Sequence, residues 1–125
     1  MKTMISTTQA PAAIGPYSQG VKLGDLIFTS GQLPIDPATG VMPEGIENQT
    51  RQSLLNCKAI LESAGAKMSD IVKTTVFLND MNDFGAMNGV YQTFFAGDYP
   101  CRSAVEVARL PKDALVEIEC IAYLK

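Results

Sequence analysis

A chain of 125 residues, 46% apolar and 18% charged, has the length and composition of one globular domain with a single core, which excludes a disordered polypeptide. Thirteen acidic residues outnumber ten basic ones, the pI is near 4.8 and no Lys/Arg run occurs, so a nucleic-acid partner is not expected. Histidine is absent, which removes Ser-His-Asp and Cys-His catalysis and most zinc sites, leaving carboxylates, Lys, Arg, Tyr, hydroxyls, backbone amides and water to do any chemistry.

The opening stretch "MKTMISTTQAPAA" has no apolar leader core, and no apolar run reaches the length of a membrane span. A soluble cytoplasmic protein, with no membrane partner, is the expectation. The stretch "GPYSQGVKLGDLIFTSG" reads as two short strands around a Gly-Asp turn. "QLPIDPATGVMPEG", with three prolines, reads as an irregular loop. From Ile46 to Ala64 the apolar residues Leu54, Cys57, Leu61 and Ala64 recur at helical spacing, and Gly65 supplies the stop.

"DIVKTTVFLND" is β-branched and strand-like. A second helix follows, capped by Asn82 or Asp83, with Phe84, Met87, Tyr91 and Phe94 on one face. Its Gly85 and Gly89 each cost about 1 kcal/mol relative to alanine. Two last strands, Arg102 to Ala108 and Leu115 to Leu124, are joined through "RLPKD". The order β-β-α-β-α-β-β describes one α+β domain over residues 1–125, a mixed sheet with two helices on one face. The cysteines, Cys57, Cys101 and Cys120, are odd in number and scattered, and read as small buried hydrophobes.

Alternation along the strands separates the two faces of that sheet. One face collects Val116, Ile118, Cys120, Ala122 and Leu124 with Val72, Thr74, Val76 and Leu78, and with Ser103, Val105 and Val107. The other mixes charge with bulk: Glu117, Glu119, Ile121 and Tyr123, Lys73 and Phe77, and Arg102 with Ala104. Such a mixture predicts a surface buried against another copy of the chain, or a ligand cleft. Arg102 keeps its charge and needs an anion. Parity offers Glu117 or Glu119 as a structural ion-pair partner. An external anion is the alternative, and residue types alone leave both open.

"CRSAVEVARLPKDALVEIECIA" resembles the C-terminal signature of the RidA/YjgF family of reactive-intermediate deaminases. "APAAIGPYSQGV", "TSGQLPIDPATG" and "IVKTTVFLNDMNDF" resemble the family's other motifs, in the same order and over nearly the whole chain. The resemblance implies a chorismate-mutase-like α+β fold assembled as a homotrimer with clefts between subunits. It implies hydrolysis of small 2-imino or 2-enamino acids, such as 2-iminobutanoate and 2-iminopropanoate, to 2-keto acids and ammonia without metal or organic cofactor. By the same resemblance Arg102 holds the substrate carboxylate and Glu117 positions the water, leaving Glu119 as scaffold. Tyr17 lines the cleft, Ser30 and Gly31 border the ligand with backbone N–H groups, and Lys73 and Asn88 are polar positions nearby. The chain departs from the pattern at Ala104, where many members carry cysteine and where the backbone N–H is left to serve the ligand without the thiol, and in a shorter "FFAGDYPCRS" stretch. A non-catalytic sensor of 2-keto acids would use the same cleft, and endoribonuclease action is a third alternative.

Overall fold

The computed structural model describes residues 1–124. The elements are β1 (Lys2–Ile5), β2 (Gly20–Leu23), β3 (Leu26–Thr29), α1 (Ile46–Ser63), β4 (Ile71–Leu78), α2 (Phe84–Tyr91), β5 (Cys101–Glu106) and β6 (Val116–Tyr123). They build one six-stranded sheet in the order β1-β2-β3-β6-β4-β5. All neighbours are antiparallel except β4 and β5, which run parallel with α2 as their crossover. No helix among the described residues is long and apolar enough to cross a membrane.

β6 sits inside the sheet, and its inward row of Val116, Ile118, Cys120 and Ala122 is buried to within 2%. Leu54, Cys57, Ile60 and Leu61 of α1 cover that row. Full burial of a large aliphatic side chain stabilises by about 1.5–3 kcal/mol, so the Val116, Ile118, Leu54, Ile60 and Leu61 contacts make this seam a substantial part of the fold's stability. Helix α1 ends one residue before the expected Ala64. Gly65 stops it at φ 89°, while the amides of Ala64, Gly65 and Ala66 satisfy the last carbonyls. Cys57 and Cys120 are buried as expected, but Cys101 is exposed.

Four sequence expectations need correction. Strand β1 went unread: three of its four residues are exposed, so only Ile5 carries a burial signal. Asp83 holds the N-cap position of α2, one of the two expected residues, without a side-chain bond, and Asp80 caps the 3-10 turn Met81–Asp83 before it by accepting from the Asn82 amide at 2.9 Å. The helix itself stops at Tyr91, and Phe94 lies in the single 3-10 turn that follows. At the start of β4 the register slips between Ile71 and Lys73, leaving Val72 as an extra residue. Ile71 therefore faces the core and Val72 is 46% exposed, the reverse of simple alternation.

The fourth correction matters most for function. β5 is an edge strand paired in parallel with β4, and it does not pair with β6. In that register Arg102 stands beside the buried Thr74 and Ala104 beside the buried Val76, so both point to the helix side. Ser103 and the 43%-exposed Val105 point the other way. Parity misplaced this strand because its small residues carry no decisive pattern and its charged one is packed under aromatic rings.

The N-terminal segment is tied down by one side chain. Gln19, 4% exposed, donates from Nε2 to the carbonyls of Thr7, Ala10 and Pro11 and accepts the Thr7 amide at 2.7 Å. Buried polar groups left without partners cost about 1–3 kcal/mol each. Gln19→Ala is expected to lower unfolding free energy by about 3 kcal/mol, read by urea denaturation, and to raise exchange at the Thr7 amide. A change within 0.5 kcal/mol would show that the tie contributes nothing.

Candidate active site

Glu117 projects from β6 onto the face that the helices leave open, with Phe77 as its cross-strand neighbour on β4. It lines a hollow of about 410 Å³ together with Tyr17, Ser30, Gly31, Ile14 and Lys112. The segment after β3 is held against β6 by paired bonds, Gln32 N–H to the Ile118 carbonyl at 2.8 Å and Ile118 N–H to the Gln32 carbonyl at 3.2 Å. This brings Gly31 directly onto Glu117: a Cβ at position 31 would stand 2.6 Å from Glu117 Oε2. Only glycine admits the carboxylate there.

Burial raises the pKa of Glu117, and the nearby Glu119 carboxylate adds to the shift. Such a carboxylate is a better proton acceptor than a solvated one. The Ser30 amide, expected as a ligand donor, is instead committed to the Gln19 carbonyl at 2.9 Å. Its hydroxyl donates to the Ser18 carbonyl at 2.5 Å. The Gly31 amide has no acceptor among the described residues and is left as the donor beside Glu117.

Arg102 occupies a second hollow, of about 440 Å³, with Asn88, Tyr91, Gln92, Tyr99 and Pro100. Its guanidinium carbon lies 4.9 Å from the Tyr91 ring centre and 5.4 Å from that of Phe84. Nη1 donates to Asn88 Oδ1 at 2.7 Å. Among the described residues no carboxylate lies within ion-pair distance of it. The guanidinium is thus half-buried, stacked and oriented, with four of its five N–H donors uncommitted to any described side chain.

The two halves do not meet within one chain. Arg102 lies on the helix side of edge strand β5, and Glu117 on the open side of β6, with β4 between the strands. The ion pair of Arg102 with Glu117 or Glu119, one of the two alternatives the residue pattern left open, is therefore absent among the described residues. Lys73 lies on the open face with Thr75 and Glu119, apart from both hollows. Ala104 is half-buried against the core, one step along β5 from Arg102. Phe84, Tyr91 and Tyr99 escaped notice as site residues; helical spacing made the first two look like ordinary core.

A family model described as Endoribonuclease L-PSP matches residues 7–124. A Salmonella typhimurium protein named 2-iminobutanoate/2-iminopropanoate deaminase is 58% identical, over 98% of both chains. This chain belongs to the RidA/YjgF family. The fold agrees with that membership. The crystal structure of Escherichia coli TdcF with bound serine matches with a TM-score of 0.96 at 52% identity, covering 98% of this chain and 99% of that one. The YjgF product of Escherichia coli matches with a TM-score of 0.96 at 56% identity, covering 98% and 99%. The RidA/YjgF fold therefore carries this chain's two hollows.

Two outcomes follow from the Glu117 half. Gly31→Ala is expected to displace the carboxylate and lower imine-hydrolysing turnover about 10²-fold, with the melting temperature little changed; wild-type turnover would show that Glu117 tolerates the shift. Because the folded pKa of Glu117 is raised, the proton is bound more tightly in the folded state. Its favourable contribution is full below the ordinary value near about 4.3 and disappears as pH rises through the folded value. Glu117→Gln should then be more stable than wild type at pH 7, with the advantage fading toward pH 4, in paired denaturant titrations. An advantage that grows on acidification would contradict the sign.

Proposed function

We propose that this protein hydrolyses small 2-imino and 2-enamino acids to 2-keto acids and ammonia, at sites completed by two copies of the chain. The observation that carries this reading is the oriented guanidinium of Arg102, which has no internal carboxylate and opens into a hollow. The names of relatives such as the Salmonella typhimurium protein support the substrate class. Arg102 of one copy would hold the substrate carboxylate, its fork suited to two parallel N–H···O bonds. Asn88 keeps one edge of that fork fixed.

Glu117 of a second copy would supply the water. As water oxygen bonds to the carbon of the protonated imine, one of its protons would pass to Glu117 and the C=N π pair would move to nitrogen, giving a neutral carbinolamine. Proton transfer from Glu117 to nitrogen, and passage of the hydroxyl proton to the freed Glu117 carboxylate and on to water, would release ammonia and form the keto group. The Gly31 amide, which has no acceptor among the described residues, would stabilise oxygen charge in that step. Tyr17 borders the same hollow and would limit side-chain size. Lys73 would contribute charge on the open face, and Ala104 puts no thiol on the helix side of β5, the side that Arg102 shares.

Assembly as a homotrimer is part of the proposal. Its support is the open face, where Leu23, Leu26, Phe28, Tyr123 and Val105 remain 36% exposed or more. Lys73 and Glu119 break that apolar surface and would set the register of the copies.

Arg102→Ala is expected to lower kcat/KM for 2-iminobutanoate at least about 10²-fold, from the loss of two charge-assisted bonds. A dehydratase generating the imine in situ provides the assay. Glu117→Gln should lower turnover more than 2-ketobutyrate binding. Binding of 2-ketobutyrate without faster ammonia release by wild type would identify a sensor, and salt-dependent RNA cleavage would favour the nuclease named by the family model. Co-expressing Arg102→Ala and Glu117→Gln chains should restore activity in about a quarter of the sites, because random mixing pairs intact halves there. No restoration would place each site within one chain.

A further inference from the structure

Tyr91 looks like a core residue of α2, at 5% exposure, yet its surroundings are unusual for one. Its hydroxyl is paired with Thr74 Oγ1 at 2.6 Å, and Thr74 is fully buried in the middle of β4. Packing alone needs neither hydroxyl. Phenylalanine and valine would fill about the same space without withdrawing two polar groups from water. Burial raises the Tyr91 pKa, so the phenol remains neutral and its hydroxyl is available to this bond.

The pair does have a geometric effect. Thr74 stands beside Arg102 in the parallel register, so one strand position anchors the ring and its neighbour carries the charge that the ring supports. The Tyr91 ring lies under the guanidinium at 4.9 Å and meets Phe95 at 5.1 Å and 43°. Its far end is tied by Thr74 and its flank is blocked by Phe95. A ring free to swing could not define the level of the cation above it. With Asn88 holding one edge at 2.7 Å, ring and amide together leave the guanidinium little freedom. Ordering of a long flexible side chain is then completed on folding instead of on ligand capture.

We infer that Tyr91, fixed by Thr74, is a positioning residue that orients Arg102 for a carboxylate before the ligand arrives. The inference rests on the proposed carboxylate-binding role of Arg102 and adds the device that makes the arginine effective. It also distinguishes two parts of one side chain. The ring face carries the cation, and the hydroxyl carries the ring.

The test is calorimetric binding of 2-ketobutyrate, with parallel KM and kcat measurements, for wild type, Tyr91→Phe, Thr74→Val, their double variant, Tyr91→Leu and Arg102→Ala. Tyr91→Phe and Thr74→Val should each weaken binding about fivefold through the same lost bond, and the double variant should be no weaker than either. Tyr91→Leu should weaken it at least about tenfold by removing the ring face. KM should rise in each case, whereas a purely structural role would lower the active fraction and leave KM unchanged. In the Arg102→Ala background, Tyr91→Leu should have no further effect on the residual kcat/KM.

Folded variants of Tyr91 and Thr74 with wild-type affinity would overturn the positioning role while Arg102→Ala still fails to bind. If Tyr91→Leu does not fold, the Tyr91→Phe and Thr74→Val pair decides alone. Wild-type affinity in Arg102→Ala would overturn the carboxylate site itself, and the positioning role with it.

Discussion

A permanently charged guanidinium without an internal anion constrains the edge of this sheet. Withdrawing such a group from water is costly unless its donors and its charge are compensated. Here the compensation is partial and directional: two aromatic faces, one amide oxygen and an open side toward a hollow. Helix α2 and strands β4 and β5 are arranged around that requirement. The helix supplies Phe84, Asn88 and Tyr91 at intervals of four and three residues, so all three reach the same patch. The parallel β4–β5 pairing then brings Arg102 to the helix side.

Glu117 poses the complementary problem. Its carboxylate is crowded against a glycine and sits near a second acid, a placement that disfavours the charged form. Folding tolerates this because the rest of β6 is so well buried. The inward row of the strand is buried to within 2%, while its outward row carries the acids. One strand therefore serves both stability and the candidate chemistry, on alternate residues. The proposed chemistry and stability are in tension at Glu117 in a way they are not at Arg102, whose aromatic supports pack against the folded core.

Much of the architecture was legible in residue patterns. The long helix had an unbroken apolar stripe and a glycine stop, and β6 alternated cleanly, so both were read to within a residue or two. Legibility ended where tertiary context decides. A bulge at Val72 reverses parity for two residues, and nothing local marks it. β5 is poor in bulky side chains, and its face is set by pairing with β4 instead of by its own periodicity. The motifs pointed to Tyr17, Ser30, Gly31, Glu117, Asn88 and Arg102. They could not show that these residues divide into two groups on opposite faces, nor that the Ser30 amide is already used. Tyr91 was visible only as a helical apolar position, because its partner Thr74 lies 17 residues away in sequence.

The three thiols differ in a way that equips the molecule for its own study. Cys57 and Cys120 lie inside, against Ile118 and Thr29, beyond the reach of solution reagents in the folded state. Cys101 is exposed and stands level with Lys73 in the parallel register, on the face left open by the helices. The native chain thus carries one addressable sulfur beside the guanidinium strand, without any engineered label. A fluorophore or a spin probe attached there would sit where neighbouring copies would approach. If the chain assembles as proposed, its signal would follow subunit exchange in real time, and the rate of alkylation at Cys101 would record how often that face is uncovered.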